Sequence, residues 1–217
     1  MPDVEHYIAV CASTELRPVP LVPEVMLYAA ENAYEVWEIT TLGGDEAPVP
    51  YWSFPWAGGQ ALARYLLDHP DRASGRRVLD LAAGSGLVAI AAMKAGANSA
   101  VANDVDPFAA AAQELNARAN NTTIEISQRD LLDETATPEA FDVVVAGDVC
   151  YEPGLADRLV EYLRRAKSNG VDVLLADPGR TYLPRERLDP VATYEVPTAL
   201  SIEGVERKVT TIWTPHD

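Results

Sequence analysis

Acidic residues recur at the ends of short apolar runs, and they are the side chains best placed to do chemistry. Asp80 lies in Arg77-Val-Leu-Asp-Leu81, and Asn103-Asp104 follows Ala100-Val-Ala102. Asp130 comes after Ile124–Gln128, Asp148 after Phe141–Gly147 with Tyr151 one turn later, and Asp177 opens Asp177-Pro-Gly-Arg180. Carboxylates gathered at one edge can hold an ammonium, accept from ribose hydroxyls or an adenine amino group, and orient an amine. Between the first two acids runs Gly84-Ser85-Gly86, then Ala89, a Gly-x-Gly-x-x-Ala turn that lets backbone approach a ligand.

The turn alone fits NAD and S-adenosylmethionine equally. Three features separate them. Asp80, four residues before Gly84, repels a pyrophosphate and attracts the ammonium of a methionine moiety. Ala82-Ala83 delay the glycines, so the turn is wider than a tight pyrophosphate turn. Asp130 is placed to accept from an adenine amino group. An NAD-dependent oxidoreductase is further disfavoured because no Ser-Tyr-x-x-x-Lys set is present. The expected cofactor is S-adenosylmethionine. Asp80 holds its ammonium directly or through water, and Gly84, Ser85 and Gly86 cradle its methionine part. Asn103 and Asp104 face the ribose, and Asp130 faces the base. Trp56 and Gly58 complete the set, with Trp56 either packing on the ligand or serving as an ordinary core aromatic.

These acids share a site only if the runs are parallel strands ending on one edge. The pattern supports this: strands over 78–82, 100–103, 124–128, 141–146 and 171–176 alternate with helices over 87–95, 107–120 and 154–167. Two further runs, 193–196 and 208–213, are separated by a short polar loop and read as a hairpin. The fold class is α/β: a class I, Rossmann-like methyltransferase with a seven-stranded, mostly parallel sheet and an antiparallel terminal hairpin. Residues 1–50 read as an N-terminal helical extension with one helix, from Pro23 to about Thr40, and a loop over 43–48. Residues 51–217 form the methyltransferase domain.

Composition narrows the partners. The 217 residues carry a net charge of −16, and the first 50 hold nine acids against Arg17 alone. Such a field repels a phosphate backbone, so no nucleic acid partner is expected. It favours a cationic substrate, or serves solubility alone. No run of about 18 apolar residues is present, so no membrane span is expected. Cys11 and Cys150 lack metal-ligand spacing, and His6, His69 and His216 are scattered, so no metal is expected. The start lacks signal- or transit-peptide character. A monomer is expected.

Trp56-Ala-Gly-Gly-Gln60, Asp80-x-x-x-Gly84-x-Gly86, Ala102-Asn-Asp-Val-Asp-Pro107, Gly147-Asp-Val-Cys-Tyr151 and Ala176-Asp-Pro-Gly-Arg180 occur in this order. Together they resemble the seven-β-strand protein-lysine methyltransferases with an Asp-x-x-Tyr motif. Within these, the likeness is to the electron transfer flavoprotein β-subunit lysine methyltransferases, over about residues 21–213. The chain departs at Ala57, where a proline is expected, and at Ala82-Ala83, in place of a glycine-containing pair. The resemblance implies methyl transfer to lysines of the flavoprotein β subunit, mitochondrial in eukaryotes, while the missing transit peptide and compact start point to a bacterial, cytoplasmic form. The alternative is a small-molecule N-methyltransferase of nicotinamide type. Asp148 is the expected catalytic carboxylate, orienting the amine or accepting its proton through water, unless it ties down its own loop. Tyr151 completes the amine pocket or packs on the cofactor. Asp177 and Arg180 either contact substrate or form an internal ion pair.

Overall fold

The uninterrupted apolar runs become strands because helices cover both faces of the sheet. Residues 2–40, 49–132 and 140–216 are described by a computed structural model. The expected loop at 43–48 lies outside the described residues. In the sheet, Val78, Val143, Val145, Leu174 and Ala176 face one apolar cluster, while Leu79, Val144, Val173 and Leu175 face the other. Burial on both faces is what removes the polar alternation from such strands.

Chain order runs α1 (Val4–Ser13), β1 (Glu15–Val19), β2 (Val22–Ala29), α2 (Ala33–Thr40), α3 (Ala57–Asp68), β3 (Arg77–Leu81) and α4 (Leu87–Lys94). It continues β4 (Ser99–Asn103), α5 (Pro107–Ala119), β5 (Glu125–Ser127), β6 (Val143–Gly147), α6 (Pro153–Ser168), β7 (Asp172–Asp177), β8 (Leu188–Pro197), α7 (Leu200–Glu203) and β9 (Arg207–Pro215). The seven-stranded sheet has the order β5-β4-β3-β6-β7-β9-β8. Neighbours from β5 to β7 are parallel, and β9 pairs antiparallel with both β7 and β8. The order reverses between β3 and β4 on one side and β6 on the other, so a crevice opens there at the carboxyl ends. Alanines fill α4 and α5, and their small side chains let these helices lie close on the sheet. The expected polar loop between the last two strands instead carries α7, capped by Gly204 at φ +74°.

The N-terminal part differs from expectation. The helix expected over 23–40 is a strand for its first half: β2 pairs antiparallel with β1, and only α2 is helical. Two helices, not one, therefore precede residue 41. The residues at helical spacing straddle two elements, whereas Val25, Leu27 and Ala29 alternate inward with period two. Val22, Val25 and Leu27 pack on Ala63, Leu87 and Ile90. The outer edge of β2 is covered by α5: Met26 N donates to Asn120 Oδ1 at 3.0 Å and Tyr28 N to Asn116 Oδ1 at 2.7 Å. Asn120 Nδ2 returns a bond to Met26 O at 2.6 Å. Side-chain amides four residues apart thus do the work of a neighbouring strand.

Candidate active site

The turn between β3 and α4 is built from left-handed residues: Ala82, Gly84 and Gly86 have φ of +56°, +49° and +77°. Its carbonyls are held from α5, Gly84 O by Gln113 Nε2 at 3.1 Å and Ser85 O by Asn116 Nδ2 at 2.9 Å. Asp104 holds it from β4, accepting from Gly84 N at 2.8 Å and from Asp106 N at 3.1 Å. Asp106 caps α5 by accepting from Phe108 N at 2.8 Å, and burial lifts its carboxyl to about 6. Gln113 and Asn116 did not stand out in the sequence. Their signal is a row of amides at 113, 116 and 120 on one face of an alanine-rich helix, where asparagine is a poor helix former.

Of the site residues expected from the sequence, all but Gly58, Gly86 and Asp177 line one cavity of about 570 Å³. At its floor lies Asp80, 2% exposed, accepting from Ala89 N at 3.0 Å. Burial raises its carboxyl to about 7 against the pull of that helix amide, and the Asp104 charge adds to the rise. Asp104 is also raised, again by burial. A buried floor carrying two carboxyl groups favours a ligand bearing positive charge. Asn103 turns its amide to Ser127 O at 3.0 Å and Arg129 O at 2.9 Å, tying β4 to the chain beyond β5. Asp130 accepts from Leu132 N at 3.0 Å and takes Arg158 in a forked pair at 3.0 and 2.9 Å.

At the other end two sequence motifs prove to be one contact. Asp148, at φ +62°, accepts through Oδ2 from Gly58 N and from Gly59 N at 3.1 Å, two amides in the first turn of α3. A Cβ on Gly58 would stand 2.5 Å from that oxygen and 2.6 Å from Ala176 O. One on Gly147 would stand 2.9 Å from Gly59 N. Glycine is required at both places because backbone meets backbone. Gly58 therefore serves close packing, beside the cavity rather than in its lining. The second Asp148 oxygen, Oδ1, accepts from Arg180 Nη2 at 2.7 Å. Burial lifts the Asp148 carboxyl to about 6; Arg180 opposes the rise, while Glu203 and Asp177 add to it.

Arg180 lies over the Trp56 ring at 5.4 Å from its centroid. Trp56 Nε1 donates to Tyr51 O at 2.7 Å, and the Tyr51 and Tyr151 rings are 4.9 Å apart, so an aromatic rim surrounds the guanidinium. Burial pushes the Tyr151 hydroxyl up to about 12, which keeps it neutral and a donor. Asp177 Oδ1 accepts from Gly179 N and Arg180 N, both at 2.6 Å, and shapes the loop that carries Arg180. Cys150 is buried behind this loop, its thiol pushed by burial to about 12. Among the described residues, no group of three or more His, Cys, Asp or Glu is gathered so as to hold a metal. No helix among them is long and apolar enough to cross a membrane.

A family model described as Ribosomal protein L11 methyltransferase (PrmA) matches residues 61–166. The fold is shared with the solved magnesium protoporphyrin IX methyltransferase of Synechocystis, with TM-score 0.53 and 13% identity over 73% of this chain and 78% of that one. The electron transfer flavoprotein beta subunit lysine methyltransferase of Xenopus laevis is 36% identical over 93% of this chain and 83% of its own length. The Danio rerio protein of the same name is 39% identical over 76% of this chain and 66% of its own. These relatives are animal proteins, which overturns the expectation of a bacterial, cytoplasmic form; they carry no statement of compartment. With the fold, the crevice and identity across nearly the whole chain in agreement, the chain belongs to the electron transfer flavoprotein beta subunit lysine methyltransferase family.

Proposed function

We propose that this enzyme transfers methyl groups from S-adenosylmethionine to lysine side chains of the electron transfer flavoprotein β subunit. The observation that carries the reading is one cavity with a carboxylate floor at Asp80 and Asp104 and an aromatic rim at Tyr51, Trp56 and Tyr151. The floor fits the cofactor: Asp80, held near 7 by burial, is relieved by an arriving ammonium. Asp80 is assigned to that ammonium, the backbone of Gly84–Gly86 to the methionine part, Asp104 to the ribose, and Asp130 with Arg158 to the base side. When bound, S-adenosylmethionine supplies a methyl group already activated on a sulfonium.

The remaining work belongs to the rim. A free lysine has a pKa near 10.4 and arrives mostly protonated. Trp56, Tyr51 and Tyr151 strip water from the lysine stem and align its nitrogen. The Arg180 charge beside the arriving amine favours the neutral, nucleophilic form. Asp148 acts as a positioning residue, because its oxygens already hold α3 and Arg180. The alternative expected for it, accepting the proton through water, is less suited to a carboxylate engaged on both oxygens.

The test is incubation with labelled S-adenosylmethionine and purified flavoprotein β subunit, with free nicotinamide as a parallel acceptor. Lysine-bound label on the β subunit is expected. Label on nicotinamide at a higher rate, or on neither, overturns the assignment.

A further inference from the structure

The Arg180 guanidinium is held from a side that the sequence did not indicate. Glu203, the last residue of α7 at the tip of the β8–β9 hairpin, places Oε1 3.8 Å from Arg180 Nη2. The same nitrogen makes the 2.7 Å bond to Asp148 Oδ1. Although α7 lies at the surface, the Glu203 side chain is only 6% exposed. Its Oε2 takes Lys208 Nζ from β9, and its Oε1 has no hydrogen-bond partner. A buried carboxylate oxygen without a donor is costly unless a nearby charge compensates it. Here Arg180 is that charge, and it sits between two carboxylates with its plane over Trp56.

We infer that Glu203 is a positioning residue for methyl transfer: from α7 it fixes the Arg180 guanidinium between Asp148 and the Trp56 ring, at the mouth that admits the acceptor. The inference rests on placing the acceptor at the rim end of the cavity. Without Glu203, Arg180 is drawn to Asp148 alone and its height over Trp56 is no longer set. Because Glu203 does not line the cavity, its loss affects turnover and not cofactor affinity.

The charge network supplies a readout that damage to the fold does not imitate. Facing Asp148 are Arg180 and Asp177 from the β7 end, Glu203 from α7, the amides of Gly58 and Gly59 from α3, and Cys150 from its own loop. Asp148 must be ionised to hold Arg180, so activity falls on the acid side as its carboxyl takes up a proton. Glu203→Gln removes a negative charge that raises the Asp148 carboxyl, so the acid limb of kcat moves to lower pH. Lys208→Gln leaves Glu203 less neutralised, so the limb moves to higher pH.

The experiment measures kcat against pH for wild type, Glu203→Gln and Lys208→Gln on the flavoprotein β subunit, with cofactor Kd by calorimetry. Glu203→Gln is expected to lower kcat about tenfold, shift the limb down by about half a pH unit and leave cofactor Kd within about twofold. Lys208→Gln is expected to shift the limb the opposite way. Wild-type kcat with an unmoved limb in Glu203→Gln, or a limb unmoved by Lys208→Gln should the first variant not fold, overturns the inference. Absence of methylation by the wild type overturns the acceptor assignment instead, so the two failures are distinct.

Discussion

At the scale of single residues, Asp80 carries the most chemistry for its size. Its carboxyl is held near 7 by burial, against an ordinary 3.8. Between those values the folded chain keeps a proton that the unfolded chain releases, so the contribution of Asp80 to stability falls as pH rises through that window. Asp80→Asn should therefore raise the melting temperature of the cofactor-free protein by a few degrees at pH 8, since the amide can still accept from Ala89 N. The same change should abolish most of the stabilisation that S-adenosylmethionine confers; thermal melts with and without cofactor read both. In the wild type, an ammonium needs the ionised carboxylate, so cofactor affinity should weaken about tenfold from pH 8 to pH 6 in calorimetry. The place of this residue in the cavity was legible because a carboxylate near the end of a parallel strand, four residues before Gly84, falls at the carboxyl edge of the sheet. The partners of Asp148 were not. Its contacts with Gly58 and Arg180 join residues 90 and 32 positions away, a closeness that no local spacing encodes.

At the scale of elements, the two-glycine start of α3 is a bearing surface against the end of β6. Gly58→Ala would put a methyl group 2.5 Å from Asp148 Oδ2 and 2.6 Å from a backbone oxygen. Neither can retreat without opening the helix from the sheet. Urea denaturation should show a loss of about 1–3 kcal/mol, with methyl transfer falling further than stability because Asp148 and Arg180 move together. The parallel strands and their helices were readable because a strand buried on both faces and a capped helix are local patterns. The N-terminal hairpin was not. The residues at helical spacing from Met26 to Trp37 straddle β2 and α2, and what makes β2 a strand is its pairing with β1 and the docking of Asn116 and Asn120 along its other edge. The fold of α7 was hidden likewise in a segment whose composition reads only as a polar loop.

At the scale of the whole molecule, the chain carries a net charge of −16, and the proposed acceptor is a lysine, mostly cationic in solution. Encounter with a lysine-bearing protein should be steered by that field and screened by salt. Raising sodium chloride from about 50 to about 300 mM should increase KM for the flavoprotein β subunit several-fold while leaving kcat nearly unchanged, in steady-state assays with saturating cofactor. An unchanged KM would confine the acidity to solubility. The amides of α5 tie distant parts together in another way. Asn116 donates through Nδ2 to Ser85 O in the glycine turn and accepts through Oδ1 from Tyr28 N in the hairpin, so one side chain is spent at both ends. The first thirty residues are therefore no detachable appendage. A truncation ahead of α2 would leave Asn116 held only by its bond to Ser85 O, and the cradle would lose a support without losing a single residue of its own.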